Sequence, residues 1–324
     1  MMGDERRPSE DRMSESPKRL DDAARAGWLY YIAGKTQDDI ARTLNVSRPS
    51  AQRLVSLCRS DGLITFRVNH PISACMNLAS QLADRHALTH CDVVPSAADG
   101  PATLGAVAGA AAIFIERLLR KDQPSILAVG TGRSMRASAT RVTPMSRPLH
   151  RIVSLAGNIS PDGSASPYNA LEKLAEITGA QAFPMPLPMH VTDAAQRDLL
   201  LGIDCVQRIF RMAAAADVWL TGLSQFDADA ALYQDGFITR DELLDLMRNG
   251  AVGATLAWAF DVQGRILEHE VNHRVTSVRP GPSGKPRICV AHGAHKARAM
   301  RAALEGRLIN GLITDEATAR VLLE

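Results

Sequence analysis

The sequence ILAVGTGRSMRASA, residues 126–139, joins an apolar run too short for a helix to a Gly-Thr-Gly turn and then to a stretch with helical character. Strand, glycine turn and helix in that order form the repeating unit of a parallel α/β sheet. Glycine lets the backbone approach a ligand closely. The amides that follow, with the Thr131 and Ser134 hydroxyls, suit an anion such as a phosphate ester. The turn lacks the Lys-Ser/Thr ending of a P-loop and the third glycine of a dinucleotide fingerprint. Two readings stay open at this point, a ligand loop or a turn that merely needs glycine.

Outward from this stretch the alternation continues. Strand candidates are 125–129, 151–155, 181–184, 218–221, 255–260, 288–292 and 311–314, preceded by HCDVVP. Helical stretches at 103–120, 133–143, 168–178, 192–215, 239–249, 294–305 and 315–323 separate most of them. This spacing predicts a mainly parallel sheet covered on both faces. A second glycine loop, CVAHGAHKARA at 289–299, places Lys296 in the first turn of its helix. Two such loops at the carboxyl ends of strands can flank one crevice, where Lys296 would pair with a phosphate or carboxylate. His292 and His295 read as polar lining of that crevice, because their spacing gives no convergent metal geometry and no third ligand is evident. His190, Asn158 and Gln225 are candidate contacts to ligand hydroxyls.

The amino-terminal part reads differently. In TQDDIARTLNVSRPSAQRLV, residues 36–55, Thr36 and Asp39 approximate a capping box, Ser47 caps a second helix, and Pro49 is tolerated in that helix's first turn. Ile40, Ala41, Leu44, Val46, Ala51 and Leu54 fall where two helices crossing at a short turn need apolar or small residues. Asn45 stands at the turn where glycine is common, and Asn tolerates the left-handed conformation. Such a pair predicts a helix-turn-helix. Gln37, Ser47, Arg48, Ser50, Gln52 and Arg53 are its candidate contacts to double-stranded DNA, since Arg and Gln match base edges and hydroxyls match phosphates. GLITFRV, 62–68, suggests a small strand or wing.

The expected organisation is a disordered tail at 1–20, a winged-type helix-turn-helix domain at 21–70, a connecting helix at 71–90 and an effector-binding α/β domain at 91–324. With 324 residues and a net charge of +2, the chain has no global polyelectrolyte character, so nucleic-acid contact requires a local patch. No signal peptide is visible, and no apolar run is expected to cross a membrane. Five scattered cysteines without a C-x-x-C pair fit a reducing cytoplasm, with no metal and no cofactor.

The residues DIARTLNVSRPSAQRLV, VGTGRS, DGFITRDEL, GAVGATLAWAFDVQG and HGAHKARAMRAALEGRLINGLITDEATARVLL resemble the SorC family of bacterial transcriptional regulators, also grouped with DeoR-type regulators. The likeness spans nearly everything after about residue 20. SLAGNISPDGSASPYN further resembles members associated with sugar or polyol catabolism. The resemblance implies a Rossmann-like sugar-binding domain similar to glucosamine-6-phosphate deaminase and ribose-5-phosphate isomerase. It also implies that Gly130, Thr131, Gly132, Arg133, Ser134 and Met135, with Lys296, hold a phosphosugar's phosphate. Where many members carry an acidic residue after GAVG, this chain has Ala254 and Thr255, so the hydroxyl-binding end transfers less well. The expected protein is a homo-oligomeric regulator, dimer or tetramer, of a carbohydrate or polyol operon, controlled by a sugar, polyol or phosphosugar. The alternative is a sugar-phosphate isomerase or deaminase with an appended DNA-binding module, for which Asp227, Asp229 and Asp261 are candidate bases only by position.

Overall fold

The computed structural model describes residues 17–64, 71–97, 100–160, 163–164, 166, 168–228 and 230–324. The chain divides into two compact units between Asn69 and His70. The wing expected at 62–68 lies largely outside the described residues.

The smaller unit contains α1 (Pro17–Gly27), a π-helical turn Trp28–Ile32, α2 (Gln37–Leu44) and α3 (Arg48–Ser60). Helix α1 begins inside the stretch read as a tail, because Ala23 and Ala26 bury completely as the helix packs on α3. Only a glycine fits at Gly27, since a Cβ there would meet Cys58 Sγ at 2.1 Å. Thr36 and Asp39 form the full capping box, and Asn45 ends α2 in the left-handed region at φ 52°. Ser47 caps α3. Ala26, Ile40, Ala41, Ala51 and Val55 form the small core, flanked by Leu44, Val46 and Leu54.

The larger unit runs α4 (Pro71–His86), β1 (His90–Val94), α5 (Gly100–Leu119), β2 (Ile126–Val129), α6 (Arg133–Ala139), β3 (Arg151–Ile159), α7 (Leu171–Thr178), β4 (Gln181–Pro188), α8 (Ala194–Leu201) and α9 (Asp204–Ala215). It continues with β5 (Val218–Thr221), β6 (Ser224–Gln225), α10 (Ala231–Gln234), α11 (Arg240–Arg248), β7 (Gly253–Thr255), β8 (Trp258–Phe260), α12 (Glu270–His273), β9 (Arg287–Val290), α13 (Ala297–Glu305), β10 (Gly311–Asp315) and α14 (Glu316–Leu323). Seven strands form one parallel sheet in the order β1-β10-β9-β5-β2-β3-β4.

Apolar residues on both faces explain the layers. Leu127, Val129, Leu220, Ile288, Val290 and Ile313 face α5, α6 and α7. Their immediate neighbours Ala128 and Trp219 join a second core with α9, and Cys289 and Leu312 a third with α4, α13 and α14. The period of two along each strand thus places consecutive residues in opposite layers.

Three expectations need correction. Helix α4, read as a connector, sets Leu78 and Leu82 into the core beside Leu312 and Leu322, so it is part of the larger unit. Residues 255–260 are not one strand. They close an antiparallel hairpin in which Leu256 and Ala257 turn at φ 51° and 68°, and β6, β7 and β8 make a separate three-stranded sheet. Helix α5 is long and apolar enough to cross a membrane by composition, although no such run was expected. Val107, Ala111, Ile115 and Leu119 instead bury against the sheet, which accounts for its apolarity.

Candidate functional site

The chain reverses its direction of travel across the sheet between β2 and β5. From β2 it proceeds to β3 and β4 on one side, then returns to β5 and proceeds to β9 and β10 on the other. Ligands of open α/β sheets bind at the carboxyl ends of strands at such a switch point. A cleft of about 240 Å³ lies there. It suits a small metabolite.

Each parallel strand near the switch point sends residues to it. Thr131, Gly132, Arg133 and Ser134 follow β2, Ser166 and Tyr168 follow β3, and Met189 follows β4. Gly222, Leu223, Ser224 and Gln225 follow β5, and His295 and Lys296 follow β9. The hairpin tip adds Leu256 and Ala257, while Leu232, Asp235 and Phe237 come from α10 and the turn after it. The Gly130 amide donates to the Leu220 carbonyl at 2.8 Å, tying the loop to β5. Gly132 adopts φ 124°, a conformation that selects glycine as α6 begins.

Charge in the cleft is sharply arranged. Lys296 is half-buried, and its ammonium has no described hydrogen-bond or ion-pair partner. Burial lowers its pKa, Arg133 adds to the lowering, and Cys289 and Asp227 oppose it. An anion in the cleft would relieve that strain on the charged form. Arg133 instead donates to Asp235 Oδ1 at 2.8 Å and lies over the Tyr168 ring at 4.9 Å. The Tyr168 hydroxyl donates to the same Asp235 oxygen at 3.3 Å, and Thr131 donates to the Tyr168 carbonyl at 3.1 Å. Among the described residues no cluster of three or more His, Cys, Asp or Glu could hold a metal.

Residues 70–324 match the family model of a sugar-binding domain. The erythritol catabolism regulatory protein EryD of Brucella abortus (strain 2308) is 31% identical over 302 residues, 93% of this chain and 96% of its own length. The transcriptional regulator LsrR of Escherichia coli (strain K12) is 32% identical over 312 residues, 93% of each chain. The chain belongs to the SorC/DeoR-type family of sugar-binding transcriptional regulators. The solved full-length sorbitol operon regulator SorC from Klebsiella pneumoniae shares the fold at a TM-score of 0.70 and 23% identity, over 95% of this chain and all of that one.

In this SorC/DeoR-type chain the cleft lies wholly within the sugar-binding domain. The structure brings Thr131, Gly132, Arg133, Ser134, Gln225 and Lys296 together in its wall. Gly130 stands behind them in the backbone bond to β5. Met135, expected beside the ligand, is completely buried in the core under α6, because its position on that helix faces α5 and the sheet. Asn158 is placed near the carboxyl end of β3. His190 does not line the cleft. Its ring lies 6.0 Å from that of Phe237, and both ring nitrogens are buried with no hydrogen-bond partner among the described residues. Burial and the nearby Arg274, against the opposing pull of Glu242, lower its pKa to about 4. His295 reaches the cleft and His292 does not.

Sequence reasoning missed Tyr168, Ser224, Asp235, Phe237, Leu256 and Ala257. Asp235 precedes a glycine after a four-residue helix, which reads as an ordinary turn acid. On the smaller unit, Ser47, Arg48, Gln52 and Arg53 are exposed, while Gln37 and Ser50 are half-buried. Ser50 shares a hydroxyl bond of 2.9 Å with the cap residue Ser47, Arg48 lies 3.4 Å from Asp38, and Arg53 donates to the Pro49 carbonyl at 3.3 Å.

Proposed function

We propose that this regulator controls a carbohydrate or polyol catabolic operon, binding operator DNA through its smaller unit and a sugar, polyol or phosphosugar through the cleft. The observation that carries the effector reading is Lys296, a desolvated cation with no hydrogen-bond or ion-pair partner among the described residues, at the switch point of the sheet. Beside it the glycine loop offers its amides and the Ser134 hydroxyl. A small ligand with an anionic end and several hydroxyls meets the needs of the wall.

For DNA, α2 and α3 are read as a winged-type helix-turn-helix with α3 in the major groove. Arg48, Gln52 and Arg53 would meet base edges, and Gln37, Ser47 and Ser50 the backbone. Helix α3 carries Arg48, Arg53 and Arg59 and no acidic residue. That local charge supplies what the near-neutral whole lacks. Two-fold operators pair with two-fold proteins, so a homo-oligomer, dimer or tetramer, is the working assembly, acting in the cytoplasm. The likeness to glucosamine-6-phosphate deaminase and ribose-5-phosphate isomerase that the family resemblance implies is read as shared layout without turnover, in keeping with relatives that are named as regulators.

Fluorescence anisotropy on the promoter of the chain's own operon tests the reading, at moderate salt, against scrambled duplex. The effector panel is erythritol and sorbitol, the compounds in the names of EryD and SorC, each with its terminal phosphate. Operator should bind at least about 10³-fold tighter than scrambled DNA. At least one compound should shift that affinity, because an effector acts only through differential binding to two states. Equal binding to both duplexes, with and without the panel, rejects the proposal. Conversion of any compound would restore the enzyme alternative.

A further inference from the structure

Asp235 is the one carboxylate among the described residues of the cleft wall. Its side chain is 19% exposed. Both described hydrogen bonds of its side chain, from Arg133 and from Tyr168, arrive at Oδ1, and Oδ2 accepts none from the described residues. A carboxylate has about four acceptor sites, so half of its capacity is open to a ligand. Ala254 in the wall presents only a methyl group, and the hydroxyl of its neighbour Thr255 is already donated to the Gly222 carbonyl at 2.9 Å, so neither adds a carboxylate to the cleft.

We propose that Asp235 is the hydroxyl-recognising residue of the cleft, accepting hydrogen bonds from a polyol or sugar at Oδ2 while Arg133 and Tyr168 hold Oδ1. The assignment rests on the effector reading of the cleft and deepens it. An ionised carboxylate accepts only, and alcohol hydroxyls are the donors that a carbohydrate supplies in number. Two anchors at Oδ1 fix the plane of the group before the ligand arrives, which reduces the ordering cost of binding. The charge arrangement also divides the cleft by function. Lys296, with no ion-pair partner among the described residues, remains available to an anion, whereas Arg133 is already paired with Asp235. A ligand's anionic end is therefore directed to Lys296 and its hydroxyls to Asp235.

Titration calorimetry of the full-length protein with the four panel compounds and with inorganic phosphate tests this. Asp235→Asn should weaken the polyol that wild type binds by about tenfold or more, since a hydrogen bond to a charged group is lost. The same variant should not lose affinity for inorganic phosphate, because a negative charge has been removed from the cleft. Equal loss for polyol and phosphate would reduce Asp235 to a strut for Arg133, and unchanged polyol binding would overturn the assignment outright. Should Asp235→Asn fail to fold, Tyr168→Phe removes one anchor and keeps the carboxylate. It should weaken the polyol by about threefold, and no change there would likewise overturn the proposal. Wild type binding none of the four compounds would defeat the effector reading itself, an outcome distinct from wild type and variant binding alike.

Discussion

The cations of the two units are held in opposite ways. Arg48 and Arg53 stand exposed on α3, Arg48 close to Asp38 and Arg53 leaning on its own helix. Lys296 is half-buried in a cleft with no described partner, and burial already works against its charge. An exposed pair in water is worth little, so its partner can be exchanged for a polyanion at small cost and with strong dependence on salt. A desolvated cation attracts a single anion strongly, at short range, with less screening. The first arrangement suits a surface that must slide and release. The second suits a pocket that must choose.

The largest effect should come from removing the buried charge. Lys296→Met should cost about 3 kcal/mol or more of affinity for a phosphorylated panel compound, because the ligand's charge would be desolvated without compensation. Calorimetry should show the unphosphorylated partner of the same pair changed much less. Equal losses for both would mean that Lys296 shapes the cleft and does not pair with an anion, and the contrast between the units would weaken.

His190 sharpens the comparison from the side of stability. Its folded pKa of about 4 lies below the ordinary value of 6.5, so the unfolded chain takes up the proton first as pH falls. Stability from this group is complete above about pH 6.5, declines as pH drops, and is gone below about pH 4. The whole change amounts to roughly 3 kcal/mol as an upper figure. His190→Leu should flatten the acid limb of the thermal unfolding curve. A Trp28→Phe background leaves the Trp219 and Trp258 fluorescence of the larger unit as the readout. An acid limb identical to wild type would show that His190 is hydrated or paired in solution.

How much of this could be read from residue order depends on how local each cause is. Caps and turns are local: Thr36, Asp39, Asn45 and Ser47 carry their own geometry, and α2 begins and ends, and α3 begins, where those residues dictate. Strand β5 is legible to the residue because four buried apolar or β-branched residues sit between Asp217 and Gly222. The hairpin after Thr255 is not legible, since Leu256 and Ala257 adopt positive φ without the Asn or Gly that signals such a turn. Backbone strain of this kind persists only where surrounding packing enforces it, and both residues line the cleft. The break between α8 and α9 at Gly202 and Ile203 was hidden by continuous helical character from 192 to 215. The cleft itself was half visible. Its glycine loop and Lys296 announce themselves by residue type, whereas Tyr168 and Asp235 meet across 67 positions of sequence and are brought together only by the strand order.

On the smaller unit, Arg53→Ala should weaken operator binding by roughly 1–3 kcal/mol and relax preference at one base position while leaving the fold unchanged. Anisotropy against single-base operator variants reads both. A uniform loss across all variants would move Arg53 from base reading to phosphate contact.

The smallest effect is the most direct probe of the exposed pair. Asp38 sits 3.4 Å from Arg48, with the two side chains 60% and 67% exposed. A DNA phosphate or base that claims Arg48 must first displace Asp38 and then tolerate its negative charge nearby. Asp38→Asn removes both obstacles and disturbs no described hydrogen bond of the Thr36–Asp39 cap. Exposed pairs are weak, so the gain should be no more than about two- to fivefold tighter DNA binding. It should be larger for scrambled duplex than for operator, and should fade as salt is raised. An acidic residue beside the reading face then acts as a brake on indiscriminate binding. If the variant instead binds operator more weakly, Asp38 orients Arg48 toward its base, and the pair belongs to the rigid, preorganised class that the cleft was taken to represent.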